Sequence, residues 1–417
     1  MAALAVGLVA PAATRYLLAP PDFAGLYRPA TDRLQPVTRR EGDSLRILLN
    51  QKAPTPGSAA TVPLRLTAWA GYGAKEPLWQ RVLLARPYPG SDRAAPVQVV
   101  TVAVPAAALP AGTVLQVSRD QPSAGHPQPA SADQDPSTTA WLSLTAERLS
   151  CSFVLLDSTG LLLDRPYAYA NEGLAVVPYG LNQPLRWRRY PTGKVALPPF
   201  ANPRSQSTAP RTLGVLDSSA APVMAGGLLH LAKPGLYALK VGGAGGEPVH
   251  TLPLLVLTGS FPGQSTPQEV IEPLMYLTSN AERQQMLKAS DPKKAIDEFW
   301  LQAAGGDQAR ARAFIRRYYT NVTTANELFT GHKAGWLTDR GLLYVVLGPP
   351  QGVRRLADNS ERWHYDAAGA NGGAESFTFR PRPTTLAPDN YELVRQAAYE
   401  LPWYAAVEQW RKTMSAR

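Results

Sequence analysis

Four polar residues near the C-terminal end of the chain belong to types that perform acid–base chemistry: His332, Asp339, Arg340 and His364. An imidazole or a carboxylate can transfer protons, and a guanidinium can hold an anionic substrate. Such a set would suit hydrolysis of a peptide or a glycan. However, the sequence contains no Ser or Cys in a nucleophile elbow, no His-Glu-x-x-His motif and no carboxylate pair at a recognised spacing. We therefore predict no catalytic residue, no metal site and no cofactor.

The elements that carry these residues need not bring them together. His332 follows a predicted amphipathic helix that begins near Asp307, whereas His364 lies in a predicted strand. Between them, a polar turn over residues 335–341 leads into the apolar run 342–347. We predict that this run is the first strand of a small sheet, so that the turn joins a helix to a strand.

The composition of this turn favours a structural role. Gly335 and Gly341 permit positive φ or close backbone approach. Trp336 offers a large buried anchor with one N–H donor. Thr338 and Asp339 are side chains that bond local backbone amides in turns.

Arg340 is predicted to form an ion pair, with Asp339 or with an acid such as Glu298 or Glu361. The predicted strand after the turn ends at a Gly-Pro-Pro sequence. The signature residues are therefore Gly335, Trp336, Thr338, Asp339, Arg340, Gly341, Gly348, Pro349 and Pro350.

Helix signals surround the turn. Ser279 and Glu282 form a capping box, and Asp291 is followed by proline at the first helical position. After the turn, short strands separated by tight turns are predicted at Leu342–Leu347, Val353–Leu356, Arg362–Tyr365 and Ser376–Arg380, and a last helix at Trp403–Met414. Helices with a small antiparallel sheet indicate an α+β domain over residues 263–417.

The preceding part of the chain shows period-2 alternation broken by turns, which is typical of antiparallel sandwiches. We predict two β-sandwich-like domains, at residues 21–149 and 150–262, so the fold class is multi-domain. Residues 118–139 are predicted to form a surface loop, and the glycine run 242–246 a hairpin turn rather than a phosphate loop. Residues 1–20 resemble a secretory signal peptide.

Composition excludes several classes of protein. The net charge of +10 is dispersed, and the densest basic cluster lies on a helix with apolar residues at core spacing, so we predict no nucleic-acid binding. No segment reaches the length of a membrane helix, which leaves peripheral membrane association open. The only cysteine, Cys151, lies in an apolar run, so we predict a buried thiol and no intramolecular disulfide.

The sequence Gly-Trp-Leu-Thr-Asp over residues 335–339, followed by Gly-Pro-Pro, resembles the signature of the GWxTD family. Further similarity extends over about residues 265–417, including 293–300, 318–327, 361–365 and 403–410. This family is found mainly in envelope-associated proteins of Bacteroidetes and related bacteria. The resemblance implies a periplasmic or outer-membrane-associated location and an envelope protein as partner. Many relatives carry a lipidated cysteine, but no cysteine precedes Cys151 here, so lipidation is not supported.

Aromatic residues are abundant in the C-terminal domain, and some would suit a recognition surface. The candidates for such a surface are Trp363, Tyr365, Trp403, Tyr404 and Trp410. Our leading hypothesis is an exported, non-enzymatic envelope protein of structural or protein-interaction type, with the GWxTD domain as its interaction module. The alternative is an envelope hydrolase acting on peptide or glycan, with Asp339 and Arg340 in its site.

Overall fold

The structure is a computed structural model that describes residues 21–412, except for residues 56, 90–91, 93, 120–134, 180–183, 203–212, 225–226, 242–249 and 367–374. Four features of the sequence lie outside the described residues: the signal-like segment 1–20, most of the loop predicted at 118–139, the glycine turn 242–246, and the loop 369–373, which is predicted to connect the strands Arg362–Tyr365 and Ser376–Arg380. The described residues form three units, which are the two predicted sandwich-like units and the predicted α+β unit.

The first unit is an antiparallel seven-stranded sheet with strand order β1-β2-β5-β4-β3-β6-β7. The alternating apolar side chains predicted from the sequence face inward and form one core, which includes Leu45, Ile47 and Val102. The strands are β1 (Val37–Glu41), β2 (Ser44–Lys52), β3 (Val62–Trp69), β4 (Trp79–Pro87), β5 (Val97–Pro105), β6 (Val114–Arg119) and β7 (Thr139–Ser143).

The short helix α1 (Ala146–Ser150) leads to the second unit, in which two sheets pack over a shared core. A three-stranded sheet has the order β13-β10-β8, and a five-stranded sheet has the order β12-β11-β14-β15-β9. All described pairs are antiparallel except β9 with β15. The strands are β8 (Phe153–Leu156), β9 (Tyr167–Tyr169), β10 (Gly173–Pro178), β11 (Leu185–Tyr190), β12 (Asp217–Ser218), β13 (Leu228–His230), β14 (Gly235–Val241) and β15 (His250–Leu257).

The third unit packs helices against the antiparallel four-stranded sheet β16-β17-β18-β19. Its helices are α2 (Pro267–Ile271), α3 (Asn280–Lys288), α4 (Pro292–Ala303), α5 (Gln308–Phe329), α6 (Asp339–Leu347) and α7 (Glu400–Lys412), and its strands are β16 (Gly352–Arg355), β17 (Glu361–Tyr365), β18 (Glu375–Pro381) and β19 (Tyr391–Leu393). The predicted class, two β-sandwich-like units followed by an α+β unit, is confirmed.

The predicted helix starts are confirmed by their caps. Ser279 and Glu282 form the reciprocal capping box of α3, and Asp291 caps α4 with Pro292 at the first helical position. The Asp307 side chain accepts a hydrogen bond from the Arg310 amide and begins α5. These short-range bonds satisfy amides that have no partner within the helix, and for this reason the sequence predicts them well.

The predicted strand Leu342–Leu347 is wrong, because these residues form α6. Thr338 caps this helix, Asp339 places a negative charge in its first turn, and Gly348 ends it with φ 84°. Residues 342–346 are all buried, so the helix shows no polar face. A continuous apolar run of six residues does not distinguish a buried strand from a buried helix. The turn therefore joins two helices, α5 and α6.

Two segments from the N-terminal units complete the third core. The N-terminal segment (residues 22–28), expected in the first sandwich, places Phe23 and Tyr27 in the core of the third unit. The strap (residues 193–200), which follows β11, places Ala196 in the same core. No helix within the described residues is long and apolar enough to cross a membrane.

Candidate functional site

The turn is held by close backbone packing at its two glycines. A Cβ on Gly335 would overlap the carbonyl oxygen of Ala325 in α5, and a Cβ on Gly341 would overlap the carbonyl oxygen of Gly335. Neither glycine has a positive φ, so close approach alone requires them. The Thr338 hydroxyl donates to the Gly335 carbonyl at 2.7 Å and accepts from the Gly341 amide at 3.0 Å. The two glycines and Thr338 thus fix the angle between α5 and α6.

Replacing Gly335 or Gly341 by alanine is expected to lower the free energy of unfolding by about 1–3 kcal/mol, because each new methyl group meets fixed backbone. Gly331 is the matched control in the same connection, since a Cβ there would meet no heavy atom within 4 Å. Urea unfolding of the three variants measures the difference. Equal midpoints for Gly341→Ala and Gly331→Ala would contradict the packing role.

Trp336 anchors the turn to α5 and to the 3-10 helix Glu272–Tyr276 that follows α2. Its backbone amide donates to the Asn326 carboxamide oxygen at 3.2 Å, and its carbonyl accepts from the Tyr276 hydroxyl at 2.7 Å. The indole is half-buried and meets the Tyr276 ring edge-on, with centroids 6.0 Å apart. It is therefore an anchor at the edge of the core rather than in its centre.

Asp339 binds residues at the last strand of the sheet, β19, and does not pair with its sequence neighbour Arg340. Its carboxylate accepts from the Leu393 amide at 2.7 Å and from both terminal nitrogens of Arg395, at 3.1 and 2.7 Å. The Asp339 side chain is fully buried and that of Arg395 nearly so. Arg395 also donates to the Leu197 carbonyl at 3.1 Å. The ion pair therefore ties α6 to β19 and to the strap.

Arg340 points to a second buried carboxylate, Glu361 of β17. Its Nη1 lies 3.7 Å from Glu361 Oε2, and its Nη2 donates to the Asp389 carbonyl at 3.2 Å. The guanidinium also stacks over the ring of Tyr391, 4.4 Å from the centroid. Of the three predicted partners of Arg340, Glu361 is the one it contacts.

Glu361 forms hydrogen bonds and ion pairs with residues from distant parts of the chain. It accepts from the Tyr27 hydroxyl at 2.7 Å and the Trp363 indole at 3.1 Å, and Arg355 Nε lies 3.2 Å away. Arg355 donates in turn to the hydroxyl of Tyr72, in the β3–β4 connection of the first unit, at 3.0 Å. This cluster joins the N-terminal segment and the first unit to the third unit.

The Glu361 carboxylate lies between two guanidinium groups, and this determines its ionisation. Burial by itself raises the pKa of Glu361, but the positive charges of Arg355 and Arg340 and the hydrogen bonds from Tyr27 and Trp363 outweigh it, so the pKa lies below its ordinary value. Burial raises the pKa of the Tyr27 phenol to about 12. Glu361 is therefore an ionised acceptor and Tyr27 a protonated donor at neutral pH.

Residues 332 and 333, which connect α5 to the turn, contact the strap. Lys333 is buried, and its ammonium donates to the Lys194 carbonyl at 2.7 Å. Burial lowers the pKa of Lys333 to about 8, although the nearby Asp339 charge raises it. Burial, with a smaller contribution from Lys333, lowers the pKa of His332 to about 3. His332 is thus a neutral, buried residue at physiological pH, and not a proton shuttle.

The four residues of the hypothetical acid–base set do not form one site. His364 lies on β17, where its side chain is 43% exposed and its Nδ1 is 3.3 Å from the Ser376 hydroxyl. Asp339 and Arg340 have separate buried partners, and His332 is buried beside the strap. Within the described part of the chain, no group of three or more His, Cys, Asp or Glu residues could hold a metal ion.

Four of the five aromatic residues predicted as an interaction surface lie in the core instead. Trp363 is fully buried, and Tyr365, Trp403 and Trp410 are each 6% exposed. Their polar atoms bond inward: the Trp410 indole donates to the Val346 carbonyl at 2.8 Å and the Tyr365 hydroxyl to the Gly348 carbonyl at 3.0 Å. Tyr404, at 50% exposure, is the member of the set that reaches the surface.

Sequence reasoning missed Arg355, Arg395, Tyr27 and the strap. None of them carries a local motif, because their partners lie far away in the chain; Tyr27 and Glu361 are 334 residues apart. Only Arg395 could have been suggested from the sequence: it follows Leu393 and Val394, and arginine is the residue that most often pairs with a buried carboxylate.

The C-terminal part of the chain matches a known protein family. Residues 235–412 match the family described as the GWxTD domain, a range that begins at β14 and ends with α7. No curated protein matches the chain.

Two solved structures align weakly. The full ectodomain (Ig1–Ig3) of mouse nectin-like molecule 4 is 15% identical over 56% of this chain and 67% of its own, with a TM-score of 0.16. A titin structure is 11% identical over 54% of this chain and 97% of its own, with a TM-score of 0.14. At TM-scores this low, neither structure bears on the fold or function of this chain.

The family match and the turn together identify the chain as a GWxTD domain-containing protein.

Proposed function

We propose that this chain is an exported cell-envelope protein of structural or protein-interaction type, and that the 335–341 turn is a joint between its three units rather than an active site. The observation that carries this proposal is the saturation of both buried carboxylates. Asp339 accepts from the Arg395 guanidinium and the Leu393 amide. Glu361 forms ion pairs with two guanidinium groups and accepts from two further donors. Their side chains are 0% and 1% exposed. No solvent-facing acid or base is left at the turn.

The contacts of the joint support this interpretation. The Ala196 amide of the strap donates to the Leu337 carbonyl at 3.0 Å, which ties the second unit to the turn. The Tyr344 hydroxyl of α6 donates to the Tyr27 carbonyl at 2.8 Å, which ties the N-terminal segment to the same helix. A joint of this kind would hold the two β-rich units at a fixed angle, as a spacer or scaffold requires.

The GWxTD domain would then present its interaction surface away from the turn. Among the proposed surface aromatics this leaves Tyr404, whose ring lies 5.3 Å from that of Phe200 in the strap. Leu401, three residues earlier on α7, is 82% exposed. The envelope location draws its support from the signal-like residues 1–20 and from the family resemblance.

The variant Asp339→Asn separates a joint from a hydrolase. The amide keeps the shape of the carboxylate but leaves Arg395 buried without its counter-charge, so we expect a loss of about 1.5–3 kcal/mol in the free energy of unfolding. Thermal unfolding of this variant beside Arg340→Lys measures the effect. An Asp339→Asn protein that unfolds at the wild-type midpoint, yet loses hydrolysis of a peptide or glycan, would overturn the joint in favour of the enzyme.

Cell fractionation tests the location independently. The full-length chain expressed in its own cells is expected in the periplasmic or outer-membrane fraction. A pool confined to the cytosolic fraction would contradict export and would leave the joint untouched.

A further inference from the structure

Strand β4 of the first unit has an unpaired edge. Residues 79–85 pair with β3 along their whole length, whereas only Arg86 and Pro87 pair with β5 on the other side. Beyond these two pairs, residues Val102–Pro105 of β5 pair with β2 and no longer with β4. Among the residues that the structure describes, seven residues of β4 thus leave one row of backbone donors and acceptors without a strand partner, which is the feature that edge strands normally protect.

The outer face of this edge carries two exposed aliphatic side chains between the polar residues Gln80 and Arg86. Side chains alternate along a strand, and the odd-numbered Trp79, Leu83 and Ala85 pack against the core of the first unit. The even-numbered Val82 and Leu84 point outward and are 50% and 52% exposed, and Leu78, at the start of the strand, is 52% exposed. An aliphatic row beside an open hydrogen-bonding edge combines the two features that β-strand addition uses.

The charge at this edge is positive. Arg81 and Arg86 are exposed, and neither has an ion pair within the described residues; Arg81 stacks over the Trp79 ring, 5.3 Å from its centroid. Glu76 is the only acid in the sequence between residues 70 and 87, against the cations at 75, 81 and 86. A second copy of this chain would bring two such positive strands together, whereas an acidic strand would complement them.

We propose that the β4 edge binds an extended, acidic segment of a partner protein, in which aliphatic and acidic residues alternate. The backbone of the segment would extend the sheet beyond β4. Its aliphatic side chains would lie beside Val82 and Leu84 on the outer face, and its carboxylates would face Arg81 on the other face. This inference rests on the proposed interaction function, and it adds a second surface, in the first unit, and the chemistry of the partner that this surface would bind.

A labelled nine-residue peptide of alternating Glu and Val, titrated with the full-length chain, provides the test. We expect saturable binding that weakens at least tenfold in the double variant Val82→Ser, Leu84→Ser, which removes the aliphatic contacts without changing the charge, and that weakens with added salt. The double variant Val215→Ser, Leu216→Ser is the matched control, because these aliphatic side chains of the second unit are 50% and 56% exposed. This control is expected to bind the peptide as the wild type does.

Three outcomes would overturn the proposal. If a Lys-Val peptide binds equally well, charge complementarity does not select the partner. If the double variant binds the acidic peptide as the wild type does, the binding site is not at β4. Sedimentation showing a dimer of the wild type that the double variant dissociates would make the occupant a second copy. The location and the Asp339→Asn result do not depend on β4, so failure here leaves the proposed function standing.

Discussion

Replacing Glu361 by alanine is expected to lower the free energy of unfolding by about 3–5 kcal/mol, because two buried guanidinium groups then lack their carboxylate. Arg340 and Arg355 both lie within 4 Å of Glu361, with side chains 14% and 13% exposed. The Tyr27 hydroxyl and the Trp363 indole lose their acceptor in the same variant. Urea unfolding at neutral pH measures the loss.

The matched control is Glu298→Ala, since Glu298 is 66% exposed and faces Lys294 at 3.8 Å on the surface of α4. A pair of that kind contributes well under about 1 kcal/mol. Glu361→Gln should fall between alanine and wild type, because the amide keeps one acceptor oxygen. A Glu361→Ala protein as stable as Glu298→Ala would show that the buried cluster does not hold the units together.

The same cluster is expected to make the stability of the chain fall in acid. The pKa of Glu361 is lower in the folded chain than its ordinary value of 4.5. Its contribution is therefore fully present above pH 4.5 and is lost as the pH falls through the folded pKa. The difference in stability between wild type and Glu361→Gln should shrink over that acid range.

Local patterns predicted the class of the fold and most of its elements. Period-2 alternation gave the two β-rich units, and caps such as Ser279 and Asp307 gave the starts of α3 and α5, because both depend on residues a few positions apart. The same approach failed for α6. Its cap, Thr338, lies in the very motif whose polar residues drew attention to the turn, and its apolar run fits either kind of buried element.

The partners in the candidate site were only partly predictable. Glycine and threonine at 335, 338 and 341 act on backbone within the turn, so their roles follow from their types. The partner of Asp339 depends on the position of β19, and the donors to Glu361 depend on a segment at the other end of the chain. Such contacts follow from the tertiary structure and have no short-range pattern.

Completion of the third unit by outside segments changes how the family domain is best defined. The match to residues 235–412 omits Phe23, Tyr27 and Ala196, yet all three lie in the core that the matched residues form. A fragment restricted to the matched range would expose the apolar surface that these residues cover. The GWxTD domain of this chain is therefore a part of a larger folding unit.

Replacing Phe23 by alanine is expected to destabilise the third unit by about 3–5 kcal/mol, although the two are far apart in sequence. Phe23 is 1% exposed, its amide donates to the Val353 carbonyl of β16 at 2.9 Å, and Arg355 stacks over its ring at 4.9 Å. Hydrogen exchange followed by mass spectrometry should show faster exchange in the amides of β16, β17 and α6. These amides report on the third unit directly.

Leu401→Ala serves as the control, because Leu401 lies in the third unit itself but is 82% exposed. It should leave the exchange of β16 and α6 unchanged. If Phe23→Ala instead accelerates exchange only in the first unit, around Tyr72 and Trp141, then the N-terminal segment belongs to that unit and merely touches the third. Both rings lie within 6 Å of the Phe23 ring, so the experiment decides which of its two neighbouring units Phe23 stabilises.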